Sequence, residues 1–539
     1  MKRIKIAFLS FLVSGLWSAC SPRTTDPSTG ATAPPTAETA PPAPAAPVVP
    51  ETKQLLVMPG DYADPSVTKV GDTYWATATS SEWAPLYPLM RSTDLKQWET
   101  VGHVFPQSLP EWAQDRFWAP EIHYENGKTY IYYTARKKGG PLCVGVASAT
   151  DPAGPYTDHG PLICQDAGAI DGFPIRDEKG QLYLVWKEDG NSRNLPTPLW
   201  AQRMNEERTA LLGEKVELFR NDPNTWEGRL VEGPAIIRRG DYFYNFYAGD
   251  ACCGRECTYA QGVARSRTLL GPWEKYSQNP ILASNDTWKC PGHGTVITDD
   301  GGRYYFLYHA YSTDGTVYTG RQGLLSEFTW TADGWPKFYA SEAQGERASN
   351  GRELSFSEEF TATSLAPTWQ WPLGQQPRFS FQGEALQLKA QPEKIGSVLS
   401  RRTLSDDYVA TTAVRQGSLA KGAQAGIAAI GDLENALGVS VGDNKILFWM
   451  IKGNKKQVLA QAPAPAATPV IQLRLSATEG SQFRGAWSTD GSTWNELKTG
   501  SGFVDGAYLP PWDRAVRVGV VAKGPATATA SFDWFRVSP

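Results

Sequence analysis

Five positions in this chain carry residues suited to chemistry, and they recur at nearly even steps. Asp64, the Pro120-Glu121 pair, Asp171, Glu232 and His293 are 56, 51, 61 and 61 residues apart. Each heads a similar segment: a small-residue or Pro/Gly turn, a strand, a polar turn, and an aromatic-rich strand. Taken singly, each head has an ordinary explanation. Asp64-Pro65 and Asp171-Gly172 are common turn signals, and His293 between two glycines is more often a satisfied buried histidine. Their shared phase argues otherwise. Three carboxylates drawn to one place crowd like charges, which raises at least one pKa and suits acid/base work near neutral pH. Two carboxyls of unequal basicity across a glycosidic bond perform hydrolysis.

The elements that must position these residues follow from the repeat. The five segments begin at Ala63, Trp118, Ile170, Val231 and Gly292, and each reads as a hairpin with its turn at Gly71-Asp72, Asn126-Gly127, Lys179-Gly180, Gly240-Asp241 or Gly301-Gly302. Further strands fill each interval. Four strands per unit of about 50–60 residues is the period of a propeller blade. In a propeller the innermost strands line a central channel, so equivalent strand ends converge at one mouth. The expected fold class is all-β: a five-bladed β-propeller over residues 53–347, then a β-sandwich over 352–539. Within the latter, "ALQLKA", "KILFWMI", "VIQLRLSA" and "ASFDWFRV" alternate as strands, and "WSTDGSTW" reads as a hairpin. Aromatics at 12%, with 51 Gly and 40 Pro, fit a turn-rich β protein.

The motifs "YADPSV", "FWAPEIH", "IDGFPIRDEKGQLYLVW", "VEGPAII" and "GHGTV", in that order, resemble those of glycoside hydrolase family 43. The resemblance covers about residues 60–339. It implies a five-bladed propeller that hydrolyses furanosides and xylosides of plant cell walls with inversion, without a cofactor for the chemistry. Carried over by motif, Asp64 is the general base, Glu232 the general acid, and Asp171 the residue that orients Glu232 and raises its pKa by repulsion. His293 resembles the axial histidine that helps hold a calcium ion or a water, which puts a structural calcium near it. Arg321 resembles the arginine beside the sugar ring, and Trp118 the aromatic next to it. Glu121 stands where Asp is frequent, at a position read as structural. Trp83, Phe173 and Trp186 are candidate pocket walls, with core packing as the equal alternative. The C-terminal region resembles the concanavalin-like sandwich of two-domain family members, bracing the propeller or binding polysaccharide, with Trp369 and Trp371 as candidate platforms.

The main functional expectation is release of α-L-arabinofuranosyl units from arabinan or arabinoxylan. A β-xylosidase is the alternative in the same class, and a non-catalytic carbohydrate-binding propeller the alternative in another. A retaining fructan hydrolase would need an Asn-Asp-Pro-Asn-type motif near the first blade, where "YADPSV" stands instead. The expected partner is an oligo- or polysaccharide; a net charge of −4 leaves no footprint for nucleic acid or anionic membrane.

Lys2, Arg3 and Lys5 precede an apolar run ending in "WSAC", which reads as an export signal (residues 1–20) with Cys20 as a lipidation site. Trp17 departs from the usual Leu, so an ordinary cleaved signal is the alternative. Residues 21–52, rich in Pro, Ala and Thr, read as an extended tether. Membrane contact is expected only through that anchor, at the outer membrane, cell surface or periplasm. Six further cysteines in an exported chain suggest disulfides; a zinc site at "CCGREC" with Cys290 or His293 is the weaker alternative.

Overall fold

The computed structural model describes residues 54–339, 348–349 and 354–539. The expected export signal and the whole of the expected tether lie outside the described residues.

Each repeated segment is the inner hairpin of an antiparallel sheet. In blade I, Ser66–Val70 pairs with Thr73–Thr77, followed outward by Leu86–Ser92 and Glu99–Phe105. Blade II starts with Ala113–Glu125, blade III with Ala169–Arg176, blade IV with Val231–Arg239 and blade V with Trp288–Thr298. These five inner strands touch in succession, and the fifth returns to the first, so the ring closes. Blade V takes an outer strand from the far end of the sequence: Leu55–Met58 pairs with Arg321–Trp330. Ala348–Ser349, at the segment expected to be a plain boundary, adds a parallel strand beside it.

A kink recurs at the head of every inner strand. Asp64, Ala119, Asp171, Gly233 and His293 all have left-handed backbone, with φ of 51°, 40°, 59°, 59° and 45°. In blades II to V the pairing register slips at the same place. Such a bulge re-aims side chains that plain alternation would send to opposite faces. Asp and His tolerate this conformation better than most residues, and strain of this kind collects at functional sites.

The C-terminal part is a sandwich. One sheet runs in the order Ser397–Arg402, Arg517–Lys523, Gln424–Asp432, Asn435–Gly442, Lys445–Lys452, Lys455–Pro463. The facing sheet is built around Thr529–Ser538, Tyr408–Arg415 and Val470–Thr478. Asp490 accepts from the Ser492 and Thr493 amides at 2.8 and 2.7 Å, closing the "WSTDGSTW" hairpin.

The two parts share buried surface. The sandwich core includes Leu230, Tyr259, Tyr311 and Tyr318 from the propeller. Trp371–Pro372 pairs with Trp83–Ala84 as a two-stranded sheet across the junction. Asp61, before blade I, accepts from Arg517 Nη2 at 3.1 Å and the Ala515 amide at 3.1 Å. Its carbonyl accepts from Arg402 Nε at 2.7 Å.

Candidate active site

The kinked strand heads open into one cavity of about 410 Å3, within the usual range for small-ligand pockets. Asp64, Ala119, Asp171 and His293 line it from the kinked positions, and Trp118, Ile170 and Glu232 line it from one residue before. Two consecutive residues per blade can face the axis because the bulge sits between or beside them. The kink in blades II and IV falls at Ala119 and Gly233, each one residue from the heads taken from the sequence. A left-handed glycine at 233 is required on a second count: a Cβ there would lie 2.8 Å from the His293 ring.

Asp64 is held on both oxygens. Thr79 Oγ1 donates to Oδ2 at 2.6 Å, and Arg321 Nη1 donates to Oδ1 at 3.2 Å. His293 Nδ1 lies 3.5 Å from the same Oδ1. The Asp64 amide donates to His309 Nδ1 at 3.0 Å, an acceptor role that fits a neutral ring; burial lowers the His309 pKa to about 4. Burial alone would raise Asp64, but Arg321 and then His293 hold it well below the usual carboxylate range. Asp64 is therefore ionised at working pH, as a base must be.

Glu232 is wrapped differently. Lys187 Nζ donates to Oε2 at 2.7 Å, and the Tyr259 hydroxyl donates to Oε1 at 2.8 Å. Lys187 also donates to Asp189 Oδ1 at 3.0 Å. Asp171 accepts the Gly233 amide on Oδ2 at 2.9 Å, which fixes the backbone next to Glu232. Burial raises both acids, but Lys187 offsets this at Glu232 and brings it below its ordinary value. Asp171 is instead pushed up to about 6 by burial and by the Glu232 charge. The expected repulsion is present, yet it raises Asp171 and not Glu232, because the cation sits on Glu232. The two acids titrate as a pair that carries one proton into the weakly acidic range.

Of the other candidates, Trp118 lines the pocket with its indole N–H unpartnered. Arg321 lines it too, and its Nη2 donates to the Asp513 carbonyl at 2.9 Å. Trp83 does not border the pocket. It is 2% exposed and packs among Ile395, Val398, Ala428 and Trp449 of the sandwich. Phe173 is two residues past the kink and packs with Val185, Leu199, Ala235 and Ile236 between blades III and IV. Trp186 is fully buried, its indole donating to Gln165 Oε1 at 2.5 Å. Trp369 is buried in the sandwich core and Trp371 is half-buried in the junction sheet, so neither is an exposed platform. Glu121 is half-buried and does not line the pocket; it accepts from Thr295 Oγ1 at 3.1 Å, and desolvation pushes it up to about 8.

Several site residues escaped sequence reasoning. Lys187 had a signal, a lone cation in the apolar run "LYLVWKE". Tyr259 and His309 stand in aromatic-rich segments with nothing in the sequence to single them out. Trp512 and Asp513 come from the sandwich, and nothing near them in sequence marks a site. Trp512 reaches the pocket and meets Trp118 edge-on, with centroids 6.2 Å apart.

All six of these cysteines are paired, as Cys143–Cys164, Cys252–Cys253 and Cys257–Cys290. That removes the thiolates a zinc site at "CCGREC" would need. Among the described residues no group of three or more His, Cys, Asp or Glu could hold a metal. The Asp64 oxygens beside His293 are already taken by Thr79 and Arg321, so the residues there do not form the oxygen cage that calcium prefers.

The model of glycosyl hydrolases family 43 matches residues 55–336, over half of the chain and the whole ring of blades. The chain belongs to family 43. A second model, the β-xylosidase C-terminal concanavalin A-like domain, matches residues 357–538. A xylosidase/arabinosidase of Butyrivibrio fibrisolvens is 28% identical over 52% of this chain and 55% of its own length. A non-reducing end α-L-arabinofuranosidase of Bacteroides ovatus is 27% identical over 52% of each. The chain thus spans about half the length of these curated relatives. A family 43 structure from Bacillus licheniformis, BlXynB, superposes over 90% of this chain and 100% of its own at a TM-score of 0.76 and 23% identity. That likeness shows the shared two-part fold.

Proposed function

We propose that this family 43 chain is an inverting glycoside hydrolase that releases terminal α-L-arabinofuranosyl units from arabinan or arabinoxylan. The observation that carries this is the convergence of Asp64, Asp171 and Glu232, from three blades, on one small cavity with opposite electrostatic settings. Asp64, ionised, takes a proton from the attacking water. Glu232, using the proton that the Asp171–Glu232 pair carries, protonates the leaving oxygen. Asp171 holds the Gly233 amide and so the acid's backbone. Arg321 and the Trp118 indole N–H orient the sugar. Lys187 screens the pair and sets how easily its proton is given up.

The cavity suits exo action. It is small, and Trp512 from the sandwich narrows it, so it accepts a chain end more readily than a chain interior. Arabinofuranosidase relatives favour the arabinoside assignment. A β-xylosidase is the second reading, favoured by the match of residues 357–538 to the β-xylosidase C-terminal domain. Three paired disulfides support an exported protein, tethered by lipid at Cys20 through residues 21–52.

Glu232→Gln tests the assignment. It keeps size and polarity but removes the donated proton, and should cost about 10²–10⁴-fold in rate on an unactivated arabino- or xylo-oligosaccharide. The loss should be smaller on a nitrophenyl glycoside, whose leaving group needs little protonation. Full activity on the unactivated substrate would remove Glu232 from the acid role.

A further inference from the structure

The adjacent pair Cys252–Cys253 is unused by the chemistry above, yet both residues line the cavity. The other two bridges span 21 and 33 residues, one joining the paired outer strands of blade II and the other a loop to the inner strand of blade V, as structural disulfides do. A bridge between neighbours closes the shortest loop there is, so chain entropy gives it the least stabilising effect of the three. What it does instead is fix a local shape. The two side chains, which carry no N–H or O–H, close one small ring with the peptide between them and present two polarizable sulfurs.

Its place is set from three directions. The loop leaves the strand Tyr242–Gly249, in which Ala248 is the register partner of Glu232, so it rises on the acid's side of the pocket. Cys257–Cys290 fastens the loop to the inner strand of blade V. The Gly254 amide donates to the Tyr311 hydroxyl at 3.2 Å, and Arg255 Nη2 donates to the Tyr318 hydroxyl at 2.7 Å. Cys252 packs on the sandwich core, and a Cβ at Gly254 would lie 3.6 Å from the Trp512 carbonyl. The disulfide and Trp512, which is 56% exposed, therefore belong to one apolar stretch of the rim.

We propose that the Cys252–Cys253 disulfide is a substrate-contacting surface that, with Trp512, takes the C–H face of the sugar on the leaving-group side. This rests on the glycosidase assignment, because the acid marks the side on which the leaving oxygen lies. A sugar presents hydroxyls at its edge and C–H groups on its faces. Deeper in the pocket the walls are charged and serve the edge of the terminal unit. The rim beside Glu232 offers apolar atoms. A ring locked by its own bond has no rotamers left to order, so contact with it costs little entropy.

The test is the double variant Cys252→Ser/Cys253→Ser, with the other two bridges kept. The substrate is α-1,5-L-arabinotriose or β-1,4-xylotriose, whichever the wild type cleaves. The inhibitor is the matching free monosaccharide, which fills only the terminal subsite. The kcat/KM on the trisaccharide should fall about tenfold, which corresponds to about 1.4 kcal/mol of lost contact. Inhibition by the monosaccharide should stay within about twofold. If the trisaccharide is cleaved as before, or both quantities worsen together, the proposal is wrong. Should the variant fold poorly, the wild type can be treated with a water-soluble phosphine, which becomes its oxide as the accessible disulfide becomes two thiols. Peptide mass mapping confirms which bridge opened, and the same split is expected. A wild type inactive on every glycoside would instead bring down the glycosidase assignment, and this proposal with it.

Discussion

At the scale of single residues, the site works by giving like groups unlike surroundings. Asp64 meets Arg321 and stays ionised; Asp171 meets the Glu232 charge and holds a proton to about 6. In the proposed mechanism the donor form is the one in which the Asp171–Glu232 pair carries its proton. The kcat/KM should therefore fall as pH rises above about 6, while Asp64 imposes no loss until far lower pH. Lys187 sets where that fall begins. Removing a cation raises the pKa of the carboxylate it touched, so Lys187→Met should move the alkaline limb upward by roughly 1–3 units. A limb that stays in place, or moves down, would show that Lys187 does not govern the pair. Lys187 could be noticed in the sequence as a charge in an apolar strand. Its partner could not be named, because Glu232 lies on the next blade.

At the scale of elements, the repeated bulge is what turns a channel lining into a site. Plain alternation would bring one residue per blade to the axis at each level; the left-handed kink lets adjacent residues share the mouth. The phase of Asp64, Asp171 and His293 is legible because those residue types recur at even steps. The kinks at Ala119 and Gly233 are less legible, since neither looks functional. The same one-residue ambiguity explains Phe173, which stands two residues past a head, because side-chain direction past a bulge cannot be counted off by twos; Trp83 is instead taken up by the sandwich, whose strand Trp371–Pro372 pairs with Trp83–Ala84. Gly233 is the sharpest probe of the kink. Gly233→Ala forces a side chain into a left-handed backbone, at about 1–2 kcal/mol, and pushes against His293. It should lower the unfolding temperature modestly and kcat much more. Equal activity in the variant would mean the His293 ring has no part in setting the acids.

At the scale of the whole molecule, the propeller and sandwich share buried surface beside the site. Asp61 and Arg517 pair across the junction, Trp83 is buried among sandwich residues, and Asp513 receives Arg321. The sandwich braces the propeller and finishes the pocket. Its strands are legible from alternation, but its contribution of Trp512 is not, since about 280 residues separate it from Glu232. Asp61→Ala leaves Arg517 buried without its carboxylate, and losses from breaking buried pairs run to about 3–5 kcal/mol. Thermal unfolding should drop as a single transition; two transitions would mean independent parts. The central claim is narrower. Three acids from three blades share one hole, with a base on one side of the sugar and an acid on the other. Proton NMR of the first minutes of hydrolysis of an arabino- or xylo-oligosaccharide tests this most directly. Single displacement by an Asp64-activated water predicts that the first-formed sugar has inverted anomeric configuration, and a first-formed sugar of retained configuration would contradict it.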